Sequence, residues 1–126
     1  MAQFKKHYTL EEARALLPKI REWFAHLDQC QETMAQVEKR LSSLSSEGHD
    51  LGGETVDRWA KTLADMRTIL HEFQSREIQV KDMERGLIDF PALREGREVF
   101  LCWEKDEEDI ENWHDIDTGY SGREPL

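Results

Sequence analysis

TLEEARALLPKIREWFAHLDQCQETMAQVEKRLSSL, residues 9–44, places an apolar side chain at alternating intervals of three and four residues. Ala13, Ile20, Leu27, Met34 and Leu41 form one row, and Leu16, Trp23, Cys30, Val37 and Leu44 follow each of them three residues later. That period of 3.5 predicts a coiled-coil-like helical seam five heptads long. Its start is signalled by Thr9-Leu10-Glu11-Glu12, in which the Thr9 hydroxyl can accept from the Glu12 amide while the Glu12 carboxylate reaches back. Pro18 has no N–H to give to Arg14 and its ring crowds that carbonyl, so a kink or break is expected near Leu16 and Leu17.

Downstream, the Ser- and Gly-rich stretch Ser42 to Gly53 has no periodicity and reads as a loop, centred near residues 45–53. A second helix is expected from Glu54 to Glu84, with Val56, Trp59, Leu63, Met66, Leu70, Phe73 and Val80 on its seam. Two such helices make an antiparallel hairpin about 45 to 50 Å long at 1.5 Å per residue. After Gly86 the period turns from helical to extended. Leu87 to Phe90 ending at Pro91, Glu98 to Glu104, and Ile110 to Ile116 read as three short antiparallel strands. Val99, Leu101 and Trp103 alternate with Phe100 and Cys102, so the second strand is apolar on both faces and should be central. Turns are expected at 92–97 and 105–109, followed by an irregular tail. The fold class is α+β: a single domain, 1–126, with a helical hairpin over 9–85 and a small three-stranded sheet and tail over 86–126.

An additional apolar row, Leu10, Leu17 and Phe24, occurs only in the first half of the first helix. The sheet should pack there and leave the stretch around Met34 to Met66 as a bare two-helix arm, which buries little alone. A homodimer through that arm is the simplest expectation. The 126 residues hold 17 basic and 27 acidic side chains, a net charge of -10. Residues 104–117 carry eight acids and one lysine, so most of the negative charge is local. Repulsion of phosphates disfavours a nucleic-acid partner, and no apolar run approaches the roughly 20 residues of a membrane span. The first residues lack a secretory or lipidation pattern, and Cys30 and Cys102 lack the spacing of a disulfide framework, so a cytoplasmic protein with reduced thiols is expected.

The C-terminal blocks carry a resemblance. Lys81-Asp82, Gly86 to Ala92 (GLIDFPA), Phe100 to Trp103 (FLCW), Trp113-His114-Asp115 and Gly119 to Leu126 (GYSGREPL), with Leu16-Leu17-Pro18 near the start, resemble the bacterial family termed domain of unknown function 2203. The resemblance implies a small cytoplasmic bacterial protein and brings no activity or catalytic residues with it. Lys105 to Asp109 (KDEED) is more acidic than the turn associated with that family.

The densest group of reactive side chains is Trp113-His114-Asp115-Ile116-Asp117, with Asp89 and Cys102 on strands expected to be neighbours. A neutral imidazole with carboxylates can bind a divalent metal ion or move protons, which makes His114, Asp115 and Asp117 a candidate metal set. Asp89, Trp103, Trp113, His114 and Arg123 are expected to converge as a possible ligand pocket, with Arg123 folded back on a carboxylate such as Asp89 or Asp115. A lone histidine beside acids on a strand is more often a hydrogen-bonded structural residue. No calcium loop, paired Glu-x-x-His, phosphate-binding glycine loop or nucleophile elbow is present. The leading reading is therefore a non-enzymatic interaction or assembly module with no cofactor and no catalytic residue. The alternative is a divalent-metal-binding or hydrolytic protein.

Overall fold

The computed structural model describes residues 2–46 and 53–126. The chain divides into two compact units: Met1–Phe24 with Glu72–Leu126, and Ala25–His71. Two long helices, α1 (Leu10–Ser46) and α2 (Glu54–Ser75), precede five strands: β1 (Gln79–Asp82), β2 (Leu87–Arg94), β3 (Arg97–Trp103), β4 (Asn112–Asp115) and β5 (Glu124–Pro125). The α+β class and the helical hairpin hold, and the described sheet has five strands rather than three.

In the first unit the capping box closes as its spacing implies. The Thr9 amide donates to the Glu12 carboxylate at 3.0 Å, and the Glu12 amide donates to the Thr9 hydroxyl at 3.1 Å. Of the kink or break expected near Leu16 and Leu17, the break does not occur: the helix runs on through Pro18. A proline inside a helix costs about 3 kcal/mol. Leu17 and Ile20, which flank it, are buried. Each side chain buried returns about 1.5 to 3 kcal/mol, enough to hold the segment helical.

The second helix stops at Ser75, nine residues before the expected end at Glu84, in a Schellman motif. The Ile78 amide donates to the Phe73 carbonyl and the Glu77 amide to the Gln74 carbonyl, with Glu77 left-handed at φ 59°. Glycine usually occupies that position, so a glutamate there gave no stop signal. Val80, expected on the helical seam, lies instead in β1 opposite Ile88.

The strands form an antiparallel meander in the order β1-β2-β3-β4-β5, with β3 at its centre. β2 does not end at Pro91 but continues to Arg94. The Pro91 carbonyl accepts the Tyr8 amide at 2.7 Å on the edge beyond β1. The missing proline N–H therefore lies on the side where no ladder bond is lost. The expected 92–97 loop contracts to Glu95-Gly96 between the paired Arg94 and Arg97. Both residues have positive φ, 54° and 77°. That pair of angles is the signature of a type I′ hairpin turn.

Register sorts the side chains by face. Ile88, Phe90, Ala92, Val99, Leu101, Trp103 and Trp113 share the face that meets the start of α1 and the segment before it. There the Tyr8 ring packs on Phe90 and the Arg21 guanidinium lies over Trp103. Asp89, Pro91, Phe100, Cys102 and His114 point to the other face, where Phe4 packs on Phe100. Phe73 closes the helical side of the unit against Trp23 and Phe24, with ring centroids 5.0 and 5.2 Å away.

The second unit consists of the distal parts of α1 and α2. Leu27, Cys30, Val37, Thr62 and Ile69 are buried there, whereas Met34, Leu41, Leu44, Trp59 and Leu63 are half-buried. α1 extends through Ser42 to Ser46, so the loop expected from Ser42 begins later, and residues 47–52 lie outside those described. No helix among the described residues is long and apolar enough to cross a membrane.

Candidate metal centre

Three strands deliver three different ligand atoms to one point. Asp89 on β2 lies opposite Cys102 on β3, and His114 on β4 lies opposite Phe100, two residues along the same face of β3. The Asp89 carboxylate, Cys102 sulfur and His114 ring offer atoms that all lie within 4.8 Å of one another, and all three residues are buried. No other such group of three occurs among the described residues.

The histidine is oriented from behind. Its Nδ1 lies 2.8 Å from the Asp115 carbonyl, which only accepts, so Nδ1 carries a hydrogen and Nε2 faces Asp89 Oδ1 at 3.0 Å. The Nε2–Oδ1 contact therefore contains one proton, held by the ring or by the carboxyl group. The Cys102 thiol lies opposite the same residue in the register of β2 and β3, with its sulfur within 4.8 Å of the carboxylate. Burial, and after it the Asp89 charge, pushes that thiol up to about 12. It is therefore protonated at neutral pH and is no nucleophile in this state. A divalent ion inverts this preference, because its own charge stabilises a coordinating thiolate.

The geometry fits zinc-type coordination. Ligand distances of about 2.0 to 2.3 Å in a tetrahedron place ligand atoms roughly 3.3 to 3.6 Å apart. The trio starts from a spread of 4.8 Å and a hydrogen bond of 3.0 Å. Closing the one and opening the other takes side-chain movements on the order of 1 Å. A nitrogen, a sulfur and a carboxylate oxygen suit zinc better than magnesium or calcium. An Nδ1–H anchored on a carbonyl is also the usual outer partner of a metal-ligating histidine. The trio lines a cavity of about 220 Å³ whose other walls include Leu87, Phe100, Ile116 and the exposed Lys81 and Tyr120. A fourth coordination position facing that cavity would be open to solvent.

The remaining sequence-expected residues go elsewhere. Asp115 is half-buried and its carboxylate pairs with Arg97 at 2.9 Å, while Asp117 is exposed; both lie outside the group that closes on His114. Strand alternation explains this, because neighbours in sequence point to opposite faces. For the same reason Trp103 and Trp113 sit across the sheet from Asp89 and His114, and the five-residue convergence does not form. Trp103 donates its indole N–H to the Glu107 carbonyl, and Trp113 lies under the Arg94 guanidinium. Arg123 folds back as expected, but onto Glu107 at 2.6 Å rather than Asp89 or Asp115, with its guanidinium over the Tyr120 ring. Asp89 and Cys102, which the sequence offers beside His114 on neighbouring strands, are set opposite each other by the register of β2 and β3. Cys30 and Cys102 are both unpaired and buried.

Residues 6–126 match the DUF2203 family, described as an uncharacterized conserved protein. The chain belongs to the DUF2203 family. Comparison with curated proteins and with solved structures gives no match. In this DUF2203 protein Asp89, Cys102 and His114 all fall within the matched region.

Proposed function

We propose that this chain is a metal-binding protein that holds one zinc-class divalent ion through Asp89, Cys102 and His114, with a fourth position left for water or a ligand. The observation that carries this reading is the approach of the three ligand atoms within 4.8 Å on a buried sheet face, with the histidine already oriented by the Asp115 carbonyl. Binding exchanges protons for charge: the ion displaces the thiol hydrogen and the proton of the Asp89–His114 contact. The test is cobalt titration followed by absorption. A thiolate-to-cobalt charge-transfer band should saturate at one ion per chain. Cys102→Ser should remove the band and His114→Ala should weaken affinity more than about 100-fold, beyond the range for loss of an outer partner. Cys30→Ser should leave the band unchanged. Absence of the band, or its loss in Cys30→Ser, overturns the reading.

A second reading, self-association, draws on a different observation. Met34, Leu41, Leu44, Trp59 and Leu63 are half-buried and Val56 is 38% exposed, all in the two-helix unit. A second copy of the chain is the simplest cover for such a seam. Light scattering during gel filtration should give a dimer mass at micromolar concentration, and Met34→Glu should shift it towards monomer without unfolding the sheet. A monomer mass for the unaltered chain contradicts this reading.

A further inference from the structure

Lys81 is placed by an irregularity of the sheet. Val80 pairs with Ile88 and Asp82 pairs with Leu87, so two steps along β1 oppose one step along β2 and Lys81 is the unpaired residue of a bulge. Bulges of this kind re-aim a side chain and are common beside functional sites. Here the bulged lysine lines the cavity whose floor is Asp89, Cys102 and His114, with its ammonium 5.4 Å from the centre of the Phe100 ring. Among the described residues it has no ion-pair partner.

The charge balance around it selects a ligand class. A thiolate and a carboxylate neutralise a divalent ion, and a neutral histidine adds nothing, so the loaded centre is uncharged. The free ammonium then makes the cavity mouth net positive, which favours an anion. The walls beyond the polar floor include Leu87, Phe100 and Ile116 beside Thr118, Gly119 and Tyr120, so part of that ligand should be apolar. The cavity volume is about 220 Å³. One water occupies roughly 30 Å³, so the space holds a few carbons and a charged group.

We infer that the open coordination position takes the carboxylate of a small organic acid, with one oxygen on the ion, the charge met by Lys81 and the aliphatic part against Leu87, Phe100 and Ile116. The inference rests on the metal reading above. Binding is ligand exchange: the carboxylate oxygen donates an electron pair to the ion and displaces its water, and no covalent bond of the acid is broken.

The experiment uses the full chain loaded with cobalt, titrated separately with butyrate and with the neutral butyramide while the d–d bands are recorded. Butyrate should perturb the bands saturably and butyramide should not. Lys81→Met should weaken the butyrate response about fivefold or more, the scale of one partly exposed ionic contact, while Lys81→Arg should retain most of it. Lys81 is exposed, so neither change threatens the fold. If the thiolate–cobalt band forms but butyrate leaves the d–d bands unmoved, or butyramide acts alike, or Lys81→Met binds butyrate as well, the ligand assignment is wrong and the metal centre stands. If no thiolate–cobalt band forms, both fall together.

Discussion

Asp89 faces the His114 ring at 3.0 Å and lies opposite Cys102, so one carboxylate meets side chains from two further strands. Half of this was legible in the sequence. His114 and Asp89 stand out as polar residues among apolar ones, but which side chains meet His114 depends on pairing register, and register is not written in any single strand. The expected partners Asp115 and Asp117 were neighbours in sequence, and the pleat separates them. Another carboxylate had no sequence signal at all. Glu98 accepts the amides of Gln3 and Phe4 at 2.6 and 3.0 Å and faces His7 Nε2 at 2.7 Å. The Gln3 amide, then the His7 ring and the Phe4 amide, hold its carboxyl down at about 2, from an ordinary value of 4.5. With the folded value below the unfolded one, its contribution is complete above that ordinary value and is lost as pH falls towards the folded one. Glu98→Gln should remove the charge-assisted part at every pH. Hydrogen exchange at neutral pH should show the Gln3 and Phe4 amides losing protection in that variant while β3 keeps its own; unchanged protection would contradict the contact.

At the scale of elements, starts were easier to read than stops. The capping box at Thr9 formed with both of its hydrogen bonds because Thr and Glu at that spacing have few other uses. Thr9→Ala should therefore cost about 1 kcal/mol, measured as a shift in urea midpoint at constant m-value. The end of α2 was illegible because the left-handed residue is Glu77. The backbone of Lys5 and Lys6 compensates there by donating to the Glu77 carboxylate at 2.9 and 3.2 Å. Ending the helix at Ser75 is what frees Gln79–Asp82 to become β1, and with it the bulge that carries Lys81. β5, at two residues, is too short for any alternation to announce it. The central position of β3 was legible, since only a strand covered on both faces tolerates apolar side chains on both.

At the scale of the whole chain, most of the net negative charge falls in residues 104–117, and the first unit sets arginines against it. Arg14 pairs with Asp109, Arg85 with Glu104, Arg97 with Asp115 and Arg123 with Glu107, so residues far apart in sequence tie the 104–117 stretch down. Arg85 in particular holds the Glu104 carboxyl below its usual range. Exposed pairs contribute about 0 to 1 kcal/mol each, so their role is to fix the loop that follows β3 rather than to stabilise the fold at large. Arg123 and Glu107 are the least exposed of these pairs taken together, and Arg85 and Arg123 both lie over the Tyr120 ring. The tail is thereby held where Gly119 and Tyr120 border the cavity over the three proposed ligands. X-ray absorption at the zinc edge, on protein loaded with one equivalent of zinc, reads the ligand atoms directly. A single sulfur is expected at about 2.3 Å with nitrogen and oxygen neighbours at about 2.0 to 2.2 Å, the sulfur vanishing in Cys102→Ser. A first shell of oxygen and nitrogen alone in the unaltered chain would contradict the proposed centre.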